Sequence, residues 1–114
     1  MKPIFFDKKT CVTCKKTQAF LNENKVEFEV VDIIKNPPGK AMLVKFIDAD
    51  NVKFYLNTRS TIYRELNLGQ NIPNKAKAIK LMLQDPNLIK RPFIVKDDTA
   101  TFGLNVVELT EKWL

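Results

Sequence analysis

The chain holds two cysteines, Cys11 and Cys14, in the run Thr10, Cys11, Val12, Thr13, Cys14, Lys15, Lys16. Two thiols at this C-x-x-C spacing can meet as a small disulfide, and a thiolate is a nucleophile, so thiol–disulfide exchange is the first chemistry to consider. Upstream, Ile4, Phe5 and Phe6 read as a short apolar strand. Downstream, residues 17–21 continue with helix-compatible types to a stop at Asn22, Glu23 and Asn24. A cysteine at the step from strand to helix meets unpaired backbone N–H groups and the positive end of the helix dipole, which favour a thiolate. Lys8, Lys9, Lys15 and Lys16 crowd the same stretch, with Asp7 as the nearby acid. Such a field attracts anions, although the same lysines also suit a solvated helix face. Cys14, in line with Leu21 on a helix, has a lesser reading as a small buried hydrophobe.

Other uses of the pair fare worse. A disulfide closing so small a loop would staple almost nothing, and a 114-residue chain with 45% hydrophobic content can build a core without one. A structural zinc needs four ligands, usually Cys or His, and the chain has two cysteines and no histidine, so no metal is expected. The net charge of +6 comes from lysines spread along the chain without interleaved aromatics, which argues against direct nucleic-acid contact. No long apolar run or signal-peptide pattern is present, and the expectation is a soluble protein of the reducing cytoplasm, not a membrane protein. There a C-x-x-C is most often catalytic, redox-sensing or metal-binding.

The elements that must position the pair follow in order. Residues 28–32 read as a second strand, giving a βαβ unit. Asn36, Pro37, Pro38 and Gly39 break the chain. A helical block follows: residues 40–48 with Met42, Leu43, Phe46 and Ile47 on one face; a short helix capped by Ser60 with Ile62, Tyr63 and Leu66 inward; and a helix from Asn74 with Ala76, Ile79, Met82 and Leu83. Arg91, Pro92, Phe93, Ile94 and Val95 return to a buried strand, Asp97 and Asp98 form a turn, and residues 100–103 pair back as a hairpin. Asn105 with Glu108 approximates a capping box for a last helix carrying Val106, Leu109 and Trp113. One α/β domain spanning residues 1–114 is the economical organisation.

This order of elements, with three segments, resembles the thioredoxin-fold family of ArsC-type arsenate reductases and Spx-type regulators. The segments are residues 11–16, residues 57–60 running into Tyr63, Arg64, Glu65 and Leu66, and residues 86–95. The resemblance covers essentially the whole chain. It implies an α/β, thioredoxin-like fold, βαβ then ββα, with the helical block of about residues 37–88 inserted between the second and third strands. It implies Cys11 as attacking thiolate and Cys14 as a redox partner. Arg59 and Arg91, with Lys8 beside them, become the anion-binding set, and Pro92 the cis-proline before the third strand. Guanidinium groups suit tetrahedral oxyanions and stabilise a neighbouring thiolate. Two positions depart from the reductase pattern: Lys8, Lys9 and Thr10 precede Cys11 in place of an Asn-Pro loop, and a third family arginine aligns with Thr99.

Two functions are therefore expected as alternatives. One is a thiol-dependent oxidoreductase with no bound cofactor, glutathione as co-substrate, and glutaredoxin or thioredoxin as partner. The other is an Spx-type redox switch that binds RNA polymerase. The sequence ends at Leu114, before the extension of those regulators, and the expectation leans to the oxidoreductase.

Overall fold

A computed structural model describes residues 2–114, which divide into two units, residues 2–36 with 91–114, and residues 37–90. The first unit contains β1 (Ile4–Asp7), α1 (Val12–Glu23), β2 (Glu29–Asp32), β3 (Phe93–Lys96), β4 (Thr99–Phe102) and α5 (Val106–Trp113). Its four strands form one sheet in the order β2-β1-β3-β4. Strands β1 and β2 are parallel, as a helical crossover requires, and β3 runs antiparallel to both β1 and β4. This is the expected βαβ then ββα arrangement of a thioredoxin-like fold.

Period-two alternation sorts the strand residues onto two faces. On one, Phe5 and its cross-strand partner Ile94 pack with Cys14 and Leu21 of α1 and Leu109 of α5, all buried. On the other, Phe6, Phe93 and Phe102 are direct neighbours across three strands, with ring centroids 5.3 and 4.4 Å apart. Burying aromatic rings at this density makes truncations here costly, about 3–5 kcal/mol for a Phe→Ala change. Buried Thr101 accepts a hydrogen bond from Trp113 Nε1 at 3.0 Å, which fixes α5 against β4.

Helix α1 ends where Lys25 adopts φ 60. The Val26 N–H donates to Leu21 O at 2.9 Å and the Lys25 N–H to Asn22 O at 3.1 Å, so the last carbonyls are satisfied and Val26 turns back onto the core. The turn between β3 and β4 is Asp97 and Asp98, with Asp97 at φ 51.

The second unit holds α2 (Lys40–Phe46), α3 (Thr61–Glu65) and α4 (Lys75–Gln84), with 3-10 turns at Val52–Tyr55 and Pro86–Leu88 that the sequence pattern does not announce. Ser60 caps α3, its hydroxyl accepting from the Tyr63 N–H at 3.3 Å. Inward assignments change in three helices. Leu66 is exposed because α3 closes at Asn67, φ 52, and Leu68 beyond that left-handed residue takes the buried place. In α4 the buried face is Ala78, Ile79 and Met82, leaving Ala76 and Leu83 outside. In α5 the packed stripe begins at Leu109, and Val106, the first helical residue, is exposed. Among the described residues no helix is long and apolar enough to cross a membrane.

Candidate functional site

Strand β1 delivers the chain through Lys8, Lys9 and Thr10 to Cys11, whose N–H donates to Lys8 O at 2.9 Å. Cys11 is the N-cap of α1: its backbone is extended (φ −85, ψ 109), and its Sγ accepts a hydrogen bond from the Cys14 N–H at 3.1 Å. A helix start leaves its first N–H groups unpaired, and here a sulfur does what a serine or aspartate oxygen usually does.

Cys14 lies one turn further on, fully buried in the cluster of Phe5, Leu21, Ile94 and Leu109, while Cys11 is half-buried against it. Burial pushes the Cys14 thiol far up from its ordinary range; a side-chain hydrogen bond with Cys11 acts in the same direction, and a backbone hydrogen bond with Lys8 pulls against it. The two cysteines thus differ in access, although they stand on one helical turn. Behind them Thr17, also buried, donates its hydroxyl to Thr13 O at 2.7 Å, so that no polar group of this turn faces the core unsatisfied.

Arg91 and Pro92 precede β3 and join the same unit. Their peptide bond is cis, and Pro92 O accepts from the Gly103 N–H at 2.8 Å, tying the end of β4 to the start of β3. Arg91 is half-buried and Lys8 likewise. Arg59 belongs to the second unit, exposed in the turn before α3, where its N–H donates to Asn57 Oδ1 at 3.1 Å. Thr99 is a correction. It opens β4 and pairs with Lys96, at the end of the sheet away from Cys11, because β4 runs parallel to β1. There it lines a hollow of about 390 Å³ with Pro3, Val26, Lys96 and Trp113, and it takes no part in an anion site at Cys11. Among the described residues no three His, Cys, Asp or Glu side chains gather as metal ligands do.

Sequence reasoning missed two features of this end of the unit. The sulfur cap was not foreseen, although a Cys three positions before another at a helix start is the pattern that produces it. Asp32, at the end of β2, accepts from the Ile34 and Lys35 N–H groups at 2.9 and 3.2 Å, and these bonds hold its carboxyl below the usual range.

Comparison with known proteins gives this geometry its relatives. The YusI protein of Bacillus subtilis is 30% identical over 107 residues, 90% of this chain and 91% of its own length. The global transcriptional regulator Spx of Streptococcus mutans is 26% identical over 102 residues, 88% of this chain and 74% of the regulator. A crystal structure of an ArsC-family-related protein from Bacteroides fragilis superposes with a TM-score of 0.88 at 28% identity, covering 97% of this chain and 98% of that one. The model of the ArsC family matches residues 6–111, nearly the whole length, and to that family the chain belongs.

Proposed function

We propose that the protein is a thiol-dependent oxidoreductase in which Cys11 is the nucleophile and Cys14 the resolving thiol, with glutathione as co-substrate and glutaredoxin or thioredoxin as partner. One observation carries this reading: the half-buried Cys11 sulfur caps α1, and the Cys14 sulfur beside it is sealed in the core and held protonated. A nucleophile needs access and a stabilised anion, and a resolving thiol serves best when it stays protonated until the first adduct forms.

In the first step the Cys11 thiolate attacks one sulfur of a disulfide substrate, its S–S bond breaks, and the other sulfur leaves as a thiolate that takes a proton. In the second, Cys14 gives up its proton and attacks Cys11 Sγ, releasing the substrate thiol and leaving a Cys11–Cys14 disulfide. The protein dithiol is oxidised by two electrons and the substrate disulfide is reduced to two thiols; glutathione or glutaredoxin then returns the pair to dithiol. Within the first unit, Arg91 and Lys8 are the cations we assign to an anionic substrate.

A second reading has its own support in the Spx relative. In that reading the Cys11–Cys14 disulfide is a switch that alters binding to RNA polymerase. Assays with arsenate and with a glutathione mixed disulfide, each with glutathione and glutaredoxin, separate the two. Turnover lost in Cys11→Ser supports the oxidoreductase. Absence of turnover, together with RNA polymerase binding that differs between oxidised and reduced protein, would replace it with the switch.

A further inference from the structure

Successive residues of a strand point to opposite faces, so Asp7 at the end of β1 shares the face of Phe5, against which Cys14 packs. The backbone of Lys8, the next residue, hydrogen-bonds the Cys14 thiol, and its carbonyl accepts from the Cys11 N–H at 2.9 Å. The half-buried Asp7 carboxylate therefore lies beside the first turn of α1, where both cysteines stand. Neither step of the proposed exchange uses it. Burial is the main cause of the raised Cys14 pKa, and the charge of Asp7 adds to it in the same direction.

Other charges belong to the elements packed around Asp7. On β2 it is in register with Asp32, whose carboxyl is engaged by its own turn, accepting from the Ile34 and Lys35 N–H groups. On the β3 side, Pro92 and Arg91 lie beyond the Phe6–Phe93 pair. Lys8 is half-buried, and Lys9, Lys15 and Lys16 are exposed; these cations favour a thiolate on the pair, and Asp7 opposes it. On α5, Glu108 is paired with Lys112 at 3.5 Å and Glu111 is exposed. We infer that Asp7 tunes the redox balance of the pair: its negative charge makes a neighbouring thiolate costlier, weighs against the reduced form relative to the disulfide, and so makes the dithiol a stronger electron donor. This rests on the reading of Cys11 and Cys14 as a dithiol–disulfide couple and gives that couple a direction, towards reducing its substrate. Reducing the disulfide takes two electrons and two protons while both thiols stay protonated, and two electrons and one proton once the first has ionised. The charge of Asp7 therefore counts above the first ionisation, which belongs to the pair and not to one sulfur.

The test is the potential of the pair between about pH 6 and 10, a range that brackets the ordinary thiol pKa. Protein is equilibrated in dithiothreitol redox buffers, quenched in acid and alkylated, and the disulfide fraction is read by mass spectrometry. Plotted against pH, the potential falls steeply and then half as steeply, and the bend marks the first ionisation. In Asp7→Asn and Asp7→Ser the bend is expected about half a pH unit lower, a gain of about threefold in thiolate, with the potential above the bend about 15 mV higher than wild type and no difference below it. Asp7→Glu, which keeps the charge, and Asp32→Asn, which removes a carboxyl already engaged elsewhere, should follow wild type. A merely structural role for Asp7 would not move the bend in this charge-dependent way. Unmoved bends in both uncharged variants, an equal shift in Asp7→Glu or Asp32→Asn, or loss of the fold in both uncharged variants would overturn the role of Asp7 and leave the couple standing. If no Cys11–Cys14 disulfide forms in wild type in any buffer, the oxidoreductase reading falls with it.

Discussion

The backbone N–H of Cys14 donates to the Sγ of Cys11 at 3.1 Å, so one sulfur both caps α1 and offers itself for reaction. Its two duties separate by substitution. Serine is among the best N-caps and alanine among the poor ones, so Cys11→Ala should lower stability by about 0.5–2 kcal/mol relative to Cys11→Ser. Urea unfolding of the reduced variants reads the difference. Equal stability of the two would show that the sulfur contributes nothing as a cap.

Cys14 carries a pH signature. Its folded pKa is raised by burial, so the folded protein keeps a proton that the unfolded chain gives up above about pH 8.5. The stability this contributes is fully present below the unfolded pKa and is lost as pH rises toward the folded one, at up to about 1.4 kcal/mol per pH unit. Unfolding midpoints between pH 7.5 and 9.5 should therefore fall more steeply in the reduced wild type than in Cys14→Ala. Parallel profiles would mean that Cys14 ionises as freely in the folded state as in the unfolded one.

Lys25 closes α1 at φ 60, a conformation that glycine adopts without a Cβ penalty. Lys25→Gly is expected to be neutral or stabilising by up to about 1 kcal/mol, whereas Lys25→Val should destabilise by a similar amount or more. Thermal unfolding of both variants decides it; a destabilised glycine variant would mean that the Lys25 side chain, and not its backbone geometry, matters there.

The proposed function assigns Arg91 to anions, and this has a charge-selective consequence. Arg91→Ala should slow the reaction of Cys11 with glutathione disulfide, which carries net negative charge, by roughly threefold to tenfold at low salt. Neutral bis(2-hydroxyethyl) disulfide should be affected less. Equal slowing of both disulfides would take Arg91 out of anion binding.

Much of this was legible in the residues. Aromatic and β-branched runs at Phe5, Phe6 and Phe93 through Val95 gave the strands because they bury both faces, and Asn105 gave the cap of α5, accepting from the Glu108 N–H at 3.1 Å. The helical block between β2 and β3 was marked by Pro37 and Pro38 on one side and Pro86 and Pro92 on the other. The facing of short helices was not legible. With one to three turns, a helix such as α3 offers too few apolar positions for periodicity to fix its inward side, and the left-handed Asn67 moves burial from Leu66 to Leu68. At the site, the spacing of Cys11 and Cys14 announced the pair, but the depth to which Cys14 sinks depends on Ile94 and Leu109, some eighty and more positions away in sequence.

The difference in access between Cys11 and Cys14 is the core of the account, and trapping the adduct tests it most directly. Reduced wild type, Cys14→Ser and Cys11→Ser are exposed briefly to glutathione disulfide, quenched in acid and mapped by peptide mass spectrometry. Wild type should yield an internal Cys11–Cys14 disulfide, Cys14→Ser should accumulate glutathione on Cys11, and Cys11→Ser should remain largely unmodified at Cys14. Glutathione on Cys14 in Cys11→Ser as fast as on Cys11 in Cys14→Ser, with no internal disulfide in wild type, would contradict it.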